Sequence, residues 1–213
     1  MWKDGRISCV QFNHYLDGFL ERSRSLGDEW VGRSAPQCLQ LDPTQPVRYL
    51  IKQCFREITT AVQTREAESE NIEFAVNEKD ECECSCDVPS KSYAKYEYHV
   101  MYSPSYGVPV LYFTASTQDG RPLSLEEVWK SIPDVYQLRL KDERWTFLTQ
   151  QEHPILGKPF FQLHPCHTAD MMKNIVNCVE KEGKTNYLVT WLSSVGPVVG
   201  LHLSLEYAKN THL

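Results

Sequence analysis

A cysteine between two histidines is the stretch of this chain best suited to covalent chemistry: residues 164–167 read His-Pro-Cys-His. Proline fixes its own backbone and disfavours the helical conformation at the residue before it. A stiff, extended segment is therefore expected to lead to Cys166. The residues that follow carry apolar side chains with the spacing of one helix face: Met171, Met172, Ile175, Val176 and Val179. Cys166 is expected just before the N-terminus of a helix.

The predicted helix carries signals at both ends. Thr168 is a suitable N-cap and Asp170 suits the first turn. Lys181 suits the last turn, and Gly183 marks the end. The unpaired N–H groups and the dipole at a helix start favour a thiolate, the form of cysteine that attacks acyl groups. From the residues alone, Cys166 is a candidate nucleophile, a buried structural cysteine or a zinc ligand.

The segment around Cys166 and three further segments resemble one known family. They read EHPILGKPFFQLHPC (152–166), YEYHVMYSPSYGVPVLYF (96–113), DGRPLSLEEVW (119–129) and WLSSVGPVVGLHLSLEY (191–207). Together they are similar to the autophagy E2-like conjugating enzymes, which carry a ubiquitin-like modifier as a thioester on one cysteine. The segments QQEHPILGKPFF and SVGPVVG favour the branch of autophagy-related protein ten over the sister branch of autophagy-related protein three.

This resemblance implies an α+β fold with an E2-like (ubiquitin-conjugating-enzyme-like) core. Helices would pack on an antiparallel sheet, with an inserted acidic loop and an extra hairpin. Cys166 would be the thioester nucleophile, with no cofactor and no metal. The residues expected to line the site are His164, Pro165 and His167. The implied partners are the E1-like activating enzyme of autophagy, the modifier autophagy-related protein twelve, and autophagy-related protein five as the protein with the acceptor lysine.

The expected reaction has two acyl transfers, and the sequence assigns no donor to stabilise them. The thiolate takes the modifier from the activating enzyme's thioester, and a target lysine then attacks the new thioester. Both steps pass through an oxyanion that needs positioned hydrogen-bond donors. Ubiquitin E2 enzymes are thought to use the asparagine of an HPN tripeptide, and this sequence has no HPN.

Three alternatives to this function stay open at the level of sequence. A sister-type enzyme would deliver its modifier to a lipid amine. An adaptor with the E2-like fold would be catalytically inactive. A metal-stabilised binding module would hold zinc through imidazole and thiolate ligands. Those ligands would be His153, His164, Cys166 and His167.

Composition favours one intracellular domain spanning residues 1–213. The chain has 213 residues and 41% hydrophobic side chains, enough for a substantial core. Eight cysteines and no signal-peptide pattern indicate free thiols in a reducing, cytoplasmic location. No segment approaches the roughly 18 to 20 apolar residues of a membrane span. No basic stripe suggests nucleic-acid binding, so neither nucleic acid nor stable membrane insertion is expected.

Residues 64–92 are predicted to form a flexible acidic insertion. The stretch 66–87 holds nine acidic residues and one lysine, so it carries −8 and the rest of the chain +2. Cys82, Cys84 and Cys86 alternate within it, whereas a closed zinc site needs four ligands and usually CxxC spacing. These cysteines are interpreted as incidental thiols of a mobile loop.

Helix-start signals and alternating apolar residues predict the other elements. The predicted helices are one over about 8–25, one that begins after Ser124, and one capped by Thr185 or Asn186. The predicted strands lie at about 37–42, 47–58, 96–102 and 108–115, with a short strand or extended tail at 201–205. The region 135–149 gives no clear pattern.

The hairpin at 96–115 is also a candidate docking element. Its tyrosines are expected to pack in the core. Its outer edge could then pair with a partner strand, and Glu97 and His99 are expected to face outward.

We predict that the acidic insertion is dispensable for folding. Replacing residues 66–90 with a short Gly/Ser link removes no predicted core and slightly lowers the cost of loop closure. The thermal midpoint, followed by circular dichroism, should stay within a few degrees of that of the full chain. Loss of cooperative unfolding would show instead that the loop packs on the domain or holds a metal.

Overall fold

The computed structural model describes residues 4–36, 46–58, 92–140, 147–179 and 186–209. Within them the strands are β1 Val31–Ser34, β2 Arg48–Ile58, β3 Ser92–Ser103, β4 Val108–Thr117, β5 Leu148–Glu152 and β6 Pro159–Leu163. They form one sheet in the order β1-β2-β3-β4-β6-β5, and every neighbouring pair is antiparallel. The helices are α1 Cys9–Ser25, α2 Leu125–Lys130, α3 Asp134–Leu140, α4 Thr168–Val179 and α5 Tyr187–Val195. Helices packed on an antiparallel sheet confirm the predicted α+β class.

Helix α1 begins at the predicted capping box. The Ser8 hydroxyl accepts the Gln11 N–H at 3.2 Å, and the Gln11 side chain accepts the Ser8 N–H at 2.8 Å. Two orphan donors at the helix start are thereby satisfied. Phe12, Leu16 and Phe19 on its inner face are fully buried in the main core, together with residues of α5 and the central strands.

The predicted alternation of β3 holds in its first half but fails in its second half. Tyr96 and Tyr98 pack in the main core as predicted. His99 and Met101 are buried as well, at 1% and 3% exposure, because a second apolar cluster covers the other sheet face. This cluster consists of Tyr49, Met101, Val110, Tyr112 and Phe160, with Ile51 and Ile155 packed against it. The prediction that His99 faces outward is therefore wrong.

The hairpin of β3 and β4 occupies the centre of the sheet. Strand β2 pairs with β3 over ten residues, and β6 pairs with β4. The predicted free outer edge of this hairpin is therefore wrong. Within the described part of the chain, the sheet edges are β1 and β5.

Both other predicted helix starts are present in the structure. The Ser124 box starts α2, and Asn186 caps α5 by accepting two backbone N–H groups. The unassigned region contains α3 and the start of β5. The predicted 201–205 segment does not form a strand, because residues 201–204 belong to no helix or strand and a 3-10 turn starts at Leu205. The strand at 37–42, the insertion up to residue 91, and the helix end at Lys181 and Gly183 lie outside the described residues. No described helix has the length and apolarity to cross a bilayer.

Arg56 joins β2 to the short 3-10 turn Gly196–Val199 that follows α5. Its guanidinium donates to the Val199 carbonyl at 2.5 Å and lies 4.6 Å from the centre of the Tyr96 ring. The Tyr98 hydroxyl donates to the same carbonyl at 2.8 Å. Gly200 follows with φ +67°, and a Cβ there would lie 1.8 Å from the guanidinium carbon.

We predict that Gly200→Ala destabilises the fold more than Gly27→Ala. Both glycines have positive φ, so each alanine costs about 1–2 kcal/mol of backbone strain. Only Gly200 has a neighbour within 4 Å, so only its alanine displaces Arg56 and loses a charged hydrogen bond, costing roughly 1–3 kcal/mol more. Urea unfolding measures both variants. Equal costs for the two variants would contradict the interpretation, and an Arg56→Ala background should remove the difference.

Candidate active site

Cys166 lies exposed on a single 3-10 turn, Pro165–His167, that runs directly into α4. Pro165 is buried at the first position of the turn, where its missing N–H leaves no hydrogen bond unmade. His164 is extended, with φ −67° and ψ 129°, as expected before a proline. The stiff, extended approach predicted from the sequence is therefore present.

The helical segment starts four residues earlier than predicted. Thr168 has helical φ and ψ, and its N–H donates to the Pro165 carbonyl, so the prediction of Thr168 as N-cap is wrong. Proline-initiated turns can precede a helix without a break, and the sequence signal at Thr168 masked this one. Cys166 lies in the 3-10 turn immediately ahead of α4, so its predicted position just before the helix is confirmed.

His164 is the residue that caps this turn. Its Nδ1 accepts the Cys166 N–H at 3.3 Å. Its own N–H donates to the Phe147 carbonyl at 2.9 Å, which extends the pairing of β5 with β6. Ser, Thr, Asp and Asn are the usual N-caps, so sequence signals did not point to a histidine here. One residue therefore ties the Cys166 turn to the sheet.

Tyr106, at the tip of the β3–β4 hairpin, reaches the same imidazole. The two rings meet edge to face with centroids 5.6 Å apart, and the Tyr106 oxygen lies 3.5 Å from His164 Nε2. Because Nδ1 accepts a hydrogen bond, the proton of the neutral ring is assigned to Nε2, which points at the Tyr106 oxygen. The hydroxyl proton of Tyr106 is then available for a third group.

The other two residues predicted to line the site, Pro165 and His167, differ in their burial. Pro165 is buried and shapes the turn, while His167 is exposed and its ring makes no hydrogen bond with the described residues. Sequence reasoning placed Tyr106 only in a turn. The one sequence signal for Tyr106 was its position in a Ser-Pro-Ser-Tyr-Gly turn, because a large aromatic side chain is not needed to form a turn.

Comparison with known proteins assigns the family. Residues 11–206 match the model of a family described as autophagocytosis associated protein, active-site domain. The chain is 40% identical to human ubiquitin-like-conjugating enzyme ATG10 over 219 residues, which cover 99% of this chain and 96% of that protein. The chain belongs to the ATG10 family of E2-like conjugating enzymes.

Two further relatives bear on the branch within the autophagy enzymes. The Arabidopsis thaliana ATG10 enzyme is 44% identical over 115 residues, covering 52% of this chain and 51% of that protein. Autophagy-related protein 3 of Dictyostelium discoideum is 28% identical over 119 residues, covering 53% of this chain and 33% of that protein. The expected E2-like fold and conjugating-enzyme class are confirmed, and so is the ATG10 branch.

The zinc-binding alternative finds no support in this ATG10-family chain. The ring of His153 packs against Tyr112 and Phe160 of the second cluster. Its Nε2 lies 2.8 Å from Nδ1 of His99. His164 and Cys166 instead meet at the turn before α4. Among the described residues, no three His, Cys, Asp or Glu side chains come together to hold a metal ion.

His153 and His99 form a buried chain of hydrogen bonds with assigned protons. Nδ1 of His153 accepts the N–H groups of Ile155 and Leu156, both at 3.2 Å. Its Nε2–H therefore donates to His99, whose own Nε2–H donates to Glu97 at 3.1 Å. Burial lowers the pKa of His153 to about 4 and also lowers that of His99, against the opposing effect of the Glu97 carboxylate.

We predict that acid destabilises the fold through this pair. Below about pH 6.5 the unfolded chain protonates both histidines, whereas in the folded chain each ring stays neutral until the pH reaches its own lowered pKa. The free energy of unfolding should therefore fall as the pH drops below about 6.5, by up to about 1.4 kcal/mol per pH unit for each ring that stays neutral, and the contribution of His153 continues to about pH 4. Urea unfolding at pH 7, 6 and 5 measures this slope.

A matched pair of variants assigns the slope to these rings. His153→Asn keeps an acceptor for the two N–H groups but removes one of the two rings, so it should reduce the slope while lowering stability. The exposed His14 provides the control variant, His14→Asn, in which both buried rings and their slope remain. A slope that is undiminished in His153→Asn would show that groups other than His153 titrate.

Proposed function

We propose that Cys166 accepts autophagy-related protein twelve as a thioester and transfers it to a lysine of autophagy-related protein five. The observation that carries the proposal is an exposed Cys166 on a turn fixed at both ends in a chain of the ATG10 family. The E1-like activating enzyme would supply the modifier. Exposure matters because two other proteins must reach the same sulfur in turn.

The other described thiols are less suited to this role. Cys9 and Cys54 are half-buried, and burial raises the pKa of each thiol, which disfavours the thiolate. Cys166 alone among these three is exposed. It also lies in the 3-10 turn directly ahead of α4, where the helix dipole favours a thiolate.

In each transfer step the acyl group stays intact, and the atom bonded to its carbonyl carbon is replaced. The Cys166 thiolate attacks the carbonyl of the activating enzyme's thioester, a new C–S bond forms, and the old thiolate leaves. A lysine amine then attacks this carbonyl, a C–N bond forms, the Cys166 thiolate leaves and the amine loses a proton. In both steps the carbonyl oxygen becomes an oxyanion.

The Tyr106 hydroxyl is our candidate for the donor that the sequence did not assign. Its proton is not committed to His164, because the imidazole donates to it. His164 holds that side chain from one side and the Cys166 N–H from the other. One imidazole therefore contacts both the Tyr106 hydroxyl and the backbone of Cys166, and this link supports Tyr106 as the candidate.

We predict that Cys166→Ala abolishes the modifier adduct and leaves the fold intact. Purified enzyme is mixed with activating enzyme, ATP and modifier, and the products are separated on gels with and without reductant. Wild type should give a reductant-sensitive adduct. Cys166→Ser should give a reductant-resistant ester, because an alkoxide is a poorer leaving group than a thiolate.

Cys54→Ala is the matched control and should load like wild type. An adduct that persists undiminished in Cys166→Ala would refute the assignment. The acceptor is tested by adding either the target protein or vesicles with an amine headgroup to the loaded enzyme. Transfer to the vesicles alone would replace the proposed lysine acceptor with the lipid amine of the sister branch.

A further inference from the structure

The residues ahead of α1 form a strap, residues 4–7, against the active-site helix. Gly5 is buried with φ +75°, and its backbone lies directly on the first turn of α4. A Cβ at Gly5 would fall 1.8 Å from the Ala169 carbonyl oxygen and 2.8 Å from the Lys173 nitrogen. The Tyr187 hydroxyl donates to the Gly5 carbonyl at 2.7 Å and holds it there.

The other end of the strap is bound to the hairpin tip. The buried Ile7 donates its N–H to the Gly107 carbonyl at 2.8 Å, and its own carbonyl accepts the Tyr102 hydroxyl at 3.0 Å. The aliphatic part of Arg6 lies over Gly107, 3.3 Å from where a Cβ would be. Gly107 is the residue next to Tyr106, so the strap holds the backbone that presents Tyr106.

These contacts close a ring around the Cys166 turn. From Cys166 the ring runs through His164 to Tyr106, and from Gly107 through Ile7 to Gly5. Gly5 then rests on Ala169, three residues after Cys166. Since only Arg6 separates the two ends of the strap, the span between them has little freedom to change.

We propose that the strap sets the separation of Tyr106 from Cys166, which makes Gly5 a positioning residue for acyl transfer. The proposal rests on the proposed function of Cys166. Alanine at Gly5 meets backbone atoms, which cannot swing aside as a side chain can. It must therefore push the strap away from α4 and shift the hairpin tip.

The two steps differ in how much they depend on this separation. Loading exchanges one thiolate for another, so a strong nucleophile meets a good leaving group. Discharge starts from an amine and depends more on donors to the oxyanion. A displacement of about 1 Å at a catalytic group can cost roughly 100-fold in rate, so discharge should suffer first.

The test compares loading and discharge in Gly5→Ala, with Gly120→Ala as the control. Gly120 has φ +88° and no atom within 4 Å of a built Cβ, so it shares the backbone strain without the contact. Gly5→Ala should load within about twofold of wild type and discharge to target lysine roughly 10- to 100-fold more slowly. Gly120→Ala should match wild type in both rates.

A double-mutant cycle separates positioning from simple loss of stability. In a Tyr106→Phe background no hydroxyl remains to be positioned, so Gly5→Ala should slow discharge no further. An equal cost of Gly5→Ala in both backgrounds would overturn the proposal. If Gly5→Ala does not fold, Tyr187→Phe replaces it, because this change releases the Gly5 carbonyl while the aromatic ring is retained. Tyr187→Phe should then slow discharge in the wild-type background but not in the Tyr106→Phe background.

A measurement on the free enzyme distinguishes this proposal from the function on which it rests. The contact between the Tyr106 and His164 rings is followed by NMR and should weaken in Gly5→Ala but not in Gly120→Ala. A wild type that never loads would refute the proposed function. A Gly5→Ala variant with an unchanged ring contact and discharge rate would refute the strap.

Discussion

The peptide unit between His164 and Pro165 is the constraint on which the site depends. The residue before a proline is held extended, so His164 can complete the last pair of the β5–β6 ladder. The proline is preset for a helical turn, so a 3-10 turn starts at this residue. Cys166 therefore lies two residues beyond His164, the last residue paired in the sheet, and is exposed while its backbone is fixed.

Those parts of the fold that depend on neighbouring residues could be predicted from the sequence. Both capping boxes formed as expected, because Ser-x-x-Gln and Ser-x-x-Glu satisfy backbone donors locally. The central hairpin was predicted from alternation around a Ser-Pro-Ser-Tyr-Gly turn, and Cys166 was singled out by the bias that Pro165 imposes. In each case the physical cause lies within a few residues of its effect.

The remaining features depend on residues that are distant in the chain. Tyr106 and His164 are 58 positions apart, and the His99–His153 pair is 54 apart. The second face of β3 is buried in a cluster that combines residues of β2, β4 and β6 with Ile155 of the β5–β6 turn, and the pattern within β3 alone does not predict this cluster. His164 as a cap was missed for a different reason, since its imidazole does here what hydroxyl and carboxylate groups usually do.

The junction of β2 and β3 has a consequence for the length of the chain. Ile58 and Ser92 are direct antiparallel partners, and opposed Cα atoms in such a ladder lie about 4.5–5.5 Å apart. The chain thus leaves the sheet and re-enters it at nearly one point, and closure entropy rises only logarithmically with the residues between. A change in the number of residues between these two partners therefore alters the closure entropy only slightly. This property makes the junction a candidate position for grafting a fluorescent reporter.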